Sequence, residues 1–184
     1  TPFGNPQNLY LYTKFAIPTA TFMRIMFPPF VLAIALITLC CLCVKKEPLI
    51  IADEKVQLPL WRTVVYGVLF VLSIVIVFRV IPFLVGLIVI PLVLLFLDKK
   101  ALKDVDYGLL FTFVAFFVFS GNMARIPAVQ RVFSFLMSKN VLLVAIFSCQ
   151  CISNVPSAVL LSHFTLDYAS LLPAVNIGGL GTPI

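Results

Sequence analysis

Two polar, helix-breaking segments near the carboxyl end of the chain carry the residues whose types suit the binding of an ion or small solute. The first is Ser153-Asn154, which lies between two apolar runs, and the second is 176–183 (NIGGLGTP). Serine, asparagine and backbone oxygens suit a hard cation such as sodium. The free N–H groups at a helix start suit an anion. Both segments predict a binding site, and the sequence contains no catalytic triad, metal motif or phosphate loop beside them.

The composition shows what kind of element must position these segments. Of the 184 residues, 62% are hydrophobic and 11% are charged, and the mean hydropathy is +1.15. Soluble domains carry about 25% charged residues. Several apolar runs lie between the charged loops, and crossing a bilayer takes about 20 helical residues. We therefore expect an all-α polytopic membrane protein, multi-pass in a bacterial inner membrane.

The runs and their breaks predict the organisation of the chain. The expected regions are the end of a broken helix at 1–17, an interfacial segment and membrane span at 18–44, a cytoplasmic loop at 45–62, scaffold spans at 63–126, an interfacial helix at 127–140, and a hairpin with the start of a second broken helix at 141–184. The basic residues of 45–62 and of a second loop at 98–106 favour the cytoplasmic side by the positive-inside rule.

Proline and glycine predict the boundaries inside these regions. Residues 1–8 are too rich in Pro, Gly and Asn for a helix, so a half-helix is expected from Leu9 to Ile17. Pro28-Pro29 is expected to separate a short amphipathic segment from the first span. Gly121-Asn122 is expected to interrupt the last scaffold span, and residues 176–183 are expected to be unwound.

The hairpin is predicted from two apolar stretches that are too short to cross a bilayer. Val141–Cys151 and Ser157–Leu161 flank the polar turn at Ser153-Asn154. Irregular backbone at membrane depth is tolerated only where protein or water satisfies it, so a re-entrant hairpin is expected. A second discontinuous segment nearby is typical of the binding sites of transporters.

Three polar residues outside these segments have simpler interpretations. Asp106 and Asp167 each precede an apolar run and are expected to be helix N-caps. His163 is expected to be a polar anchor near the membrane surface. The five cysteines lie in or beside apolar runs, so we expect them to pack as small hydrophobes.

Four segments, in order along the chain, resemble the arsenite-permease/citrate-transporter branch of the ion transporter superfamily, which also contains the divalent anion:sodium symporters. They are GNPQNLYLYTKF (4–15), VDYGLLFTFVAFFVFSGNMARIP (105–127), SCQCISNVPSAVLLSHF (148–164) and LLPAVNIGGLGTPI (171–184). The resemblance implies an inverted-repeat permease with re-entrant hairpins and discontinuous helices, homodimeric at full length. We expect the chain to be one structural repeat plus flanks of a larger polypeptide.

The resemblance also implies the site residues. The symporters carry a Ser-Asn-Thr motif at the hairpin tip, and Val155 stands here in place of the Thr. A thiol is a poor sodium ligand, and Cys149 falls at an ion-site position, so sodium and proton coupling both stay open. The candidate substrate- and ion-binding residues are Cys149, Ser153, Asn154, Gly181, Thr182, Pro183, Thr1 and Pro2, with Ser153, Asn154 and Gly181 as candidate sodium ligands.

The function expected from these features is secondary active transport of small inorganic or organic anions, coupled to sodium or protons. No other cofactor is expected. No nucleic-acid partner is expected either, because the basic residues are spread over several loops. Two alternatives stay open: an ion channel lined by the hairpin, and a membrane subunit that does not itself transport.

Overall fold

The computed structural model describes residues 4–44 and 59–180, and every regular element within these ranges is an α-helix. The helices are α1 (Pro6–Lys14), α2 (Thr19–Cys43), α3 (Leu60–Val77), α4 (Phe83–Leu97), α5 (Lys99–Lys103), α6 (Tyr107–Met123), α7 (Pro127–Lys139), α8 (Val141–Ile152), α9 (Asn154–Leu161) and α10 (Tyr168–Gly178). Among the described residues, α2 and α3 are long and apolar enough to cross a membrane, and α6 and α7 form a third such segment bent by 95°.

The chain divides into two compact units, Thr1–Val31 with Asp106–Ile184, and Leu32–Val105. The second unit contains the end of α2 and the α3, α4 and α5 helices. In it, Gly86 of α4 faces the side chain of Ile76 on α3, where a Cβ atom would collide. The Tyr66 hydroxyl of α3 donates a 2.8 Å hydrogen bond to Asp98, whose carboxylate also caps α5. Packing and this bond together join α3 to the end of α4.

The first unit holds the predicted site, and its core is built on α8 and α10. These helices pack along each other, α9 packs against both, and α1 packs against α9. Small residues at the centre, Ala145, Ala158 and Ala174, are fully buried and allow the backbones to approach closely. Leu11 and Leu171 fill the space around them. A tight helical body therefore surrounds the break between α8 and α9.

Large apolar side chains cover the outside of the long helices. Leu42 of α2 is 78% exposed and Phe96 of α4 is 77% exposed. A protein in water rarely exposes contiguous apolar surface of this extent, whereas lipid is the natural environment for it. The expected all-helical architecture is confirmed.

Proline and glycine positions were predicted less well than the runs themselves. Pro28 and Pro29 lie inside the continuous helix α2, so the predicted separate segment before them is wrong. Membrane helices tolerate proline because unwinding further residues in lipid would leave more backbone groups unpaired. Gly121 and Asn122 likewise lie within α6. That helix ends at Met123, since Pro127 holds Ile126 in an extended conformation.

Helix starts also differ from the expected ones. The first helix begins at Pro6 rather than Leu9, because proline suits the first helical position. The third helix begins at Leu60, so the loop predicted at 45–62 ends by Pro59. Residues 45–58 lie outside the described residues. The second charged loop, 98–106, contains the short helix α5. Asp106 and Asp167 cap α6 and α10 as expected.

Candidate functional site

The predicted break between the two short helices is a single residue, Ser153. Its backbone has φ 70° and ψ 166°, the conformation that stops α8 and starts α9. The hydroxyl oxygens of Ser148 and Ser157 lie 2.9 Å apart. Residues nine positions apart in a straight helix would be about 13 Å apart. The chain therefore folds back on itself at Ser153, and the helix pair α8/α9 forms at the predicted place.

The predicted polar turn is more helical than expected, because α9 starts at Asn154 rather than Ser157. Pro156 falls in the first turn, where no N–H is needed. The side-chain oxygen of Asn154 accepts a 2.8 Å hydrogen bond from the Val155 amide. It also accepts a 3.4 Å bond from the Ser153 hydroxyl. Both side chains of the predicted tip are therefore half-buried at the start of α9.

The carboxyl end of α10 lies against this tip. A Cβ atom on Gly179 would lie 2.7 Å from the amide nitrogen of Asn154, closer than any stable contact. Only a residue without a side chain allows α10 to end this close to Asn154. That amide nitrogen donates a hydrogen bond to no described residue. It is therefore free for a partner at this junction.

Gly178, the last residue of α10, and Gln150, which lies three residues before Ser153 in α8, join these two helices. A Cβ atom on Gly178 would lie 2.8 Å from the Cβ of Cys149 and 3.0 Å from the Cα of Ile146. The Gln150 amide donates a 2.7 Å hydrogen bond to the Gly178 carbonyl. Sequence reasoning missed Gln150, although an amide within an apolar run was a usable signal.

Three helix ends with different electrostatic character meet at this junction. The final carbonyl groups of α8 and α10 give a partial negative charge, and the first turn of α9 gives a partial positive charge. Hydroxyl and amide groups of Ser153 and Asn154 lie where these ends converge. The junction can therefore offer oxygen ligands to a cation and N–H donors to an anion.

Cys149 is placed in the core rather than at the tip. Its side chain is fully buried in the apolar cluster, and its sulfur lies 4.0 Å from the Val175 carbonyl. The predicted ligands Thr1, Pro2, Gly181, Thr182 and Pro183 lie outside the described residues. Their neighbours are described: α1 starts four residues after Pro2, and α10 ends three residues before Gly181.

The predicted unwinding of 176–183 starts later than expected. Asn176, Ile177 and Gly178 continue α10, followed by a turn at Gly179 and Leu180. Asn176 stays helical because its amide donates a 2.7 Å hydrogen bond to the Leu172 carbonyl one turn earlier. The only histidine of the chain, His163, lies at the far end of α9. Lys14 donates to its Nδ1 at 3.3 Å, and partial burial, with the charge of Lys14, lowers the pKa of His163.

Within the described residues, no group of three or more His, Cys, Asp or Glu side chains lies close enough together to hold a metal ion. The fold and the apolar helices define a multi-pass integral membrane protein.

Comparisons with known proteins place the chain within this class. The family described as "Citrate transporter" matches residues 1–184, and the chain belongs to that family. It is 36% identical over 185 residues to an uncharacterized transporter of Methanocaldococcus jannaschii, covering 100% of this chain and 50% of that protein. It is 32% identical over 188 residues to inner membrane protein YbiR of Escherichia coli, covering 98% of this chain and 50% of that protein. The chain thus spans about half the length of these relatives. No solved structure matches it.

Proposed function

We propose that the full-length protein is a secondary active transporter that moves a small anion across the membrane, coupled to sodium or protons. The junction of Ser153, Asn154 and Gly179 would form part of the site for the substrate and the coupling ion. The observation that carries the proposal is the approach of the end of α10 to the break at Ser153, since Gly179 touches the Asn154 side chain. Membership of the citrate transporter family supports the same class of activity.

The chemistry of the junction supports a paired site for an anion and a cation. An anion would be stabilised by the N-terminus of α9, through the partial positive charge of the helix start and the Asn154 amide. A sodium ion is stabilised by carbonyl groups at the ends of α8 and α10, together with the Ser153 hydroxyl. An anion and a cation bound side by side attract each other, so the binding of one ion favours the binding of the other. This attraction is a physical basis for coupling.

Proton coupling would need a different carrier. No Asp or Glu side chain lies among α8, α9 and the helical part of α10. Asp167 precedes α10, where it accepts a hydrogen bond from the Ser170 amide as an N-cap. Sodium is therefore the coupling ion that the described half of the site favours. Protons would have to be carried by groups elsewhere in the full-length protein.

The test is uptake into proteoliposomes that contain the purified full-length protein. Radiolabelled citrate, sulfate and a dicarboxylate are offered separately, with a sodium gradient, with a proton gradient and with neither. The proposal predicts accumulation of one anion class that requires one gradient and saturates with substrate concentration. Protein-free liposomes are the control for leakage.

Two outcomes would contradict the proposal, and they separate the alternatives. Single-channel currents at rates far above an alternating-access cycle would indicate an ion channel lined by the helix pair α8/α9. The absence of gradient-driven uptake for every anion, together with no thermal stabilisation by any of them, would indicate a membrane subunit that does not transport. Ligands that bind the folded state raise its apparent stability, so the second readout is independent of turnover.

A further inference from the structure

Four basic side chains lie at the same end of the helix pair α3/α4, within the unit Leu32–Val105. This basic cluster consists of Arg62 of α3 and three lysines of α5, Lys99, Lys100 and Lys103. Tyr66 lies one turn after Arg62 on the same face of α3, and its hydroxyl donates to Asp98, the residue that caps α5. The charge of Arg62 acts on that carboxylate. The first turn of α3 and the start of α5 are therefore neighbours.

The lysines of α5 share one face of that helix. Each helical residue turns by about 100°, so Lys99, Lys103 and Lys100 fall within an arc of about 100°. All three are exposed, whereas Ala101 and Leu102 on the other side are half-buried. The short helix therefore rests its apolar side on the protein and directs three cations outward.

The carboxylates near the basic cluster do not balance its charge. Asp98 accepts hydrogen bonds from the Tyr66 hydroxyl at one oxygen and from the backbone amides of Lys100 and Ala101 at the other. Four cations stand against Asp98 and Asp104, which leaves two positive charges in excess. Residues 45–58, which lie outside the described residues, contain three lysines and three acidic residues and add no net charge. The cluster is therefore suited to an anion that comes from outside the unit.

Arg62 is the most enclosed member of the basic cluster. Its side chain is half-buried, and its guanidinium carbon lies 5.3 Å from the centre of the Trp61 ring. Its Nε atom is buried and has no hydrogen-bond partner among the residues that the structure describes. Because Nε is covered, an approaching anion meets the two terminal nitrogens, which can bind two phosphate oxygens side by side. A half-buried cation also gains more from such a partner than an exposed one, because salt and water screen it less.

The surface next to the basic cluster is apolar. Trp61 is 55% exposed, and Leu60 at the start of α3 and Phe96 near the end of α4 are also exposed. Tryptophan is typical of the boundary between the hydrocarbon and the headgroups of a membrane. An anion bound here would therefore lie directly beside acyl chains. A phospholipid has this arrangement of phosphate and hydrocarbon, and a soluble phosphate does not.

We propose that the basic cluster binds the headgroup of an anionic phospholipid such as phosphatidylglycerol, with the phosphate at Arg62 and the lysines around it. Clusters of about four to eight basic residues next to a membrane helix are typical of such recognition. The acyl chains lie along the exposed apolar side chains of α3 and α4. The bound lipid holds this end of the unit at the headgroup level of the membrane.

The test uses the fluorescence of Trp61, the only tryptophan of the chain. The full-length protein is reconstituted into phosphatidylcholine vesicles in which a fixed minor fraction of the lipid carries bromine atoms on its acyl chains. That fraction is either phosphatidylglycerol or phosphatidylcholine. Bromine quenches tryptophan fluorescence on contact, so the quenching reports which lipid lies beside Trp61. Each variant is measured with Trp61 and with Trp61→Phe, and the difference isolates the signal of this residue.

The wild type is expected to bind brominated phosphatidylglycerol at least fivefold more tightly than brominated phosphatidylcholine, since one basic residue near a membrane surface contributes about fivefold. Arg62→Gln is expected to lower this preference at least threefold. Arg62→Lys is expected to lower it by less, because it keeps the charge and loses the paired nitrogens. Replacing Lys99, Lys100 and Lys103 together with glutamine is expected to bring the preference close to one.

The matched control removes three exposed positive charges from the other unit, by replacing Arg125, Arg131 and Lys139 with glutamine. It is expected to keep the wild-type preference. Thermal unfolding is measured for every variant. The three lysines of α5 are exposed, so their replacement leaves the fold intact and decides the question even if Arg62→Gln does not fold.

Four results would overturn the proposal. The first is equal quenching of the wild type by both brominated lipids, which would also be seen if residues 45–58 covered the cluster. The second is a preference that neither Arg62→Gln nor the triple lysine variant lowers. The third is an equal loss in the control, which would indicate diffuse attraction by net charge. The fourth is loss of the preference in excess inorganic phosphate, which would indicate a site for a soluble anion.

Discussion

Replacing Gly179 with alanine adds one methyl group at the contact between the end of α10 and the Asn154 side chain. The new Cβ would lie 2.7 Å from the amide nitrogen and 3.3 Å from the Cγ of Asn154. Gly179 has φ −81° and ψ −8°, which alanine adopts without strain. The substitution therefore acts through this contact and not through the backbone of α10.

The size of the effect follows from the distance. Reaching an ordinary contact near 3.4 Å requires Asn154 to retreat by about 0.7 Å. A misplacement of about 1 Å in a site can cost roughly 100-fold in rate. We therefore expect Gly179→Ala to raise the KM for uptake on the order of tenfold. The free energy of unfolding should fall by no more than about 1–3 kcal/mol, since a single amide side chain moves.

The assay compares uptake and thermal unfolding of the full-length protein with those of a matched variant. Gly121→Ala also adds a methyl group to a helix of the same unit, and a Cβ there meets nothing within 4 Å. It should change neither the KM nor the unfolding temperature appreciably. A KM for Gly179→Ala within twofold of the wild type would refute the placement of Asn154 in the site.

Two further predictions concern stability. Gly178→Ala would place a Cβ atom 3.0 Å from the Ile146 Cα, a backbone atom that cannot move aside. The free energy of unfolding should therefore fall by about 1–3 kcal/mol. The control is Gly67→Ala, whose Cβ meets nothing within 4 Å, and a loss for Gly178→Ala no larger than that of the control would contradict the prediction. The hydrogen bond from Tyr66 lowers the pKa of Asp98, so its stabilising contribution is present above the unfolded pKa of about 3.9 and is lost as the pH falls through the lower folded value. Tyr66→Phe should reduce the loss of stability measured between pH 5 and 3, and an unchanged acid slope would count against it.

Apolar periodicity and length predicted most of the fold. Helices lie at the predicted apolar runs, a helix begins at Pro127, and Asp106 and Asp167 cap helices as predicted from local sequence. Of the predicted spans, α4 has 15 residues and is shorter than the helices that could cross a membrane alone. The errors concentrate at proline and glycine. Pro28 and Gly121 stay helical because lipid gives their backbone neighbours no alternative partners.

The ends of α1 and α3 were not predicted from the sequence, because neither carries the glycine that usually marks such an end. α1 and α3 each end with a residue at positive φ, Ala16 at 46° and Arg79 at 61°. The amide of the following residue then bonds a carbonyl in the last helical turn, from Ile17 to Tyr12 and from Val80 to Val75. This closing motif usually carries glycine, so neither alanine nor arginine signalled it.

The sequence predicted the residues at the tip of the candidate site, but not the contacts that hold the tip in place. Ser153 and Asn154 are polar residues at a break, which sequence alone can identify. The contact between Gly179 and Asn154 and the pairing of Asn8 with Asn176 join residues far apart in sequence. A single sequence contains no signal for such contacts, because they depend on how α1, α9 and α10 pack.

The most direct test of the account is anion uptake, driven by whichever ion gradient supports uptake by the wild type, by full-length Asn154→Ala compared with full-length Asn122→Ala. Asn122 is an exposed amide on α6. Expression and thermal stability are measured for both variants. The account predicts that Asn154→Ala loses at least tenfold in kcat/KM at normal expression, while Asn122→Ala transports like the wild type. Normal uptake by Asn154→Ala would contradict the assignment of the site.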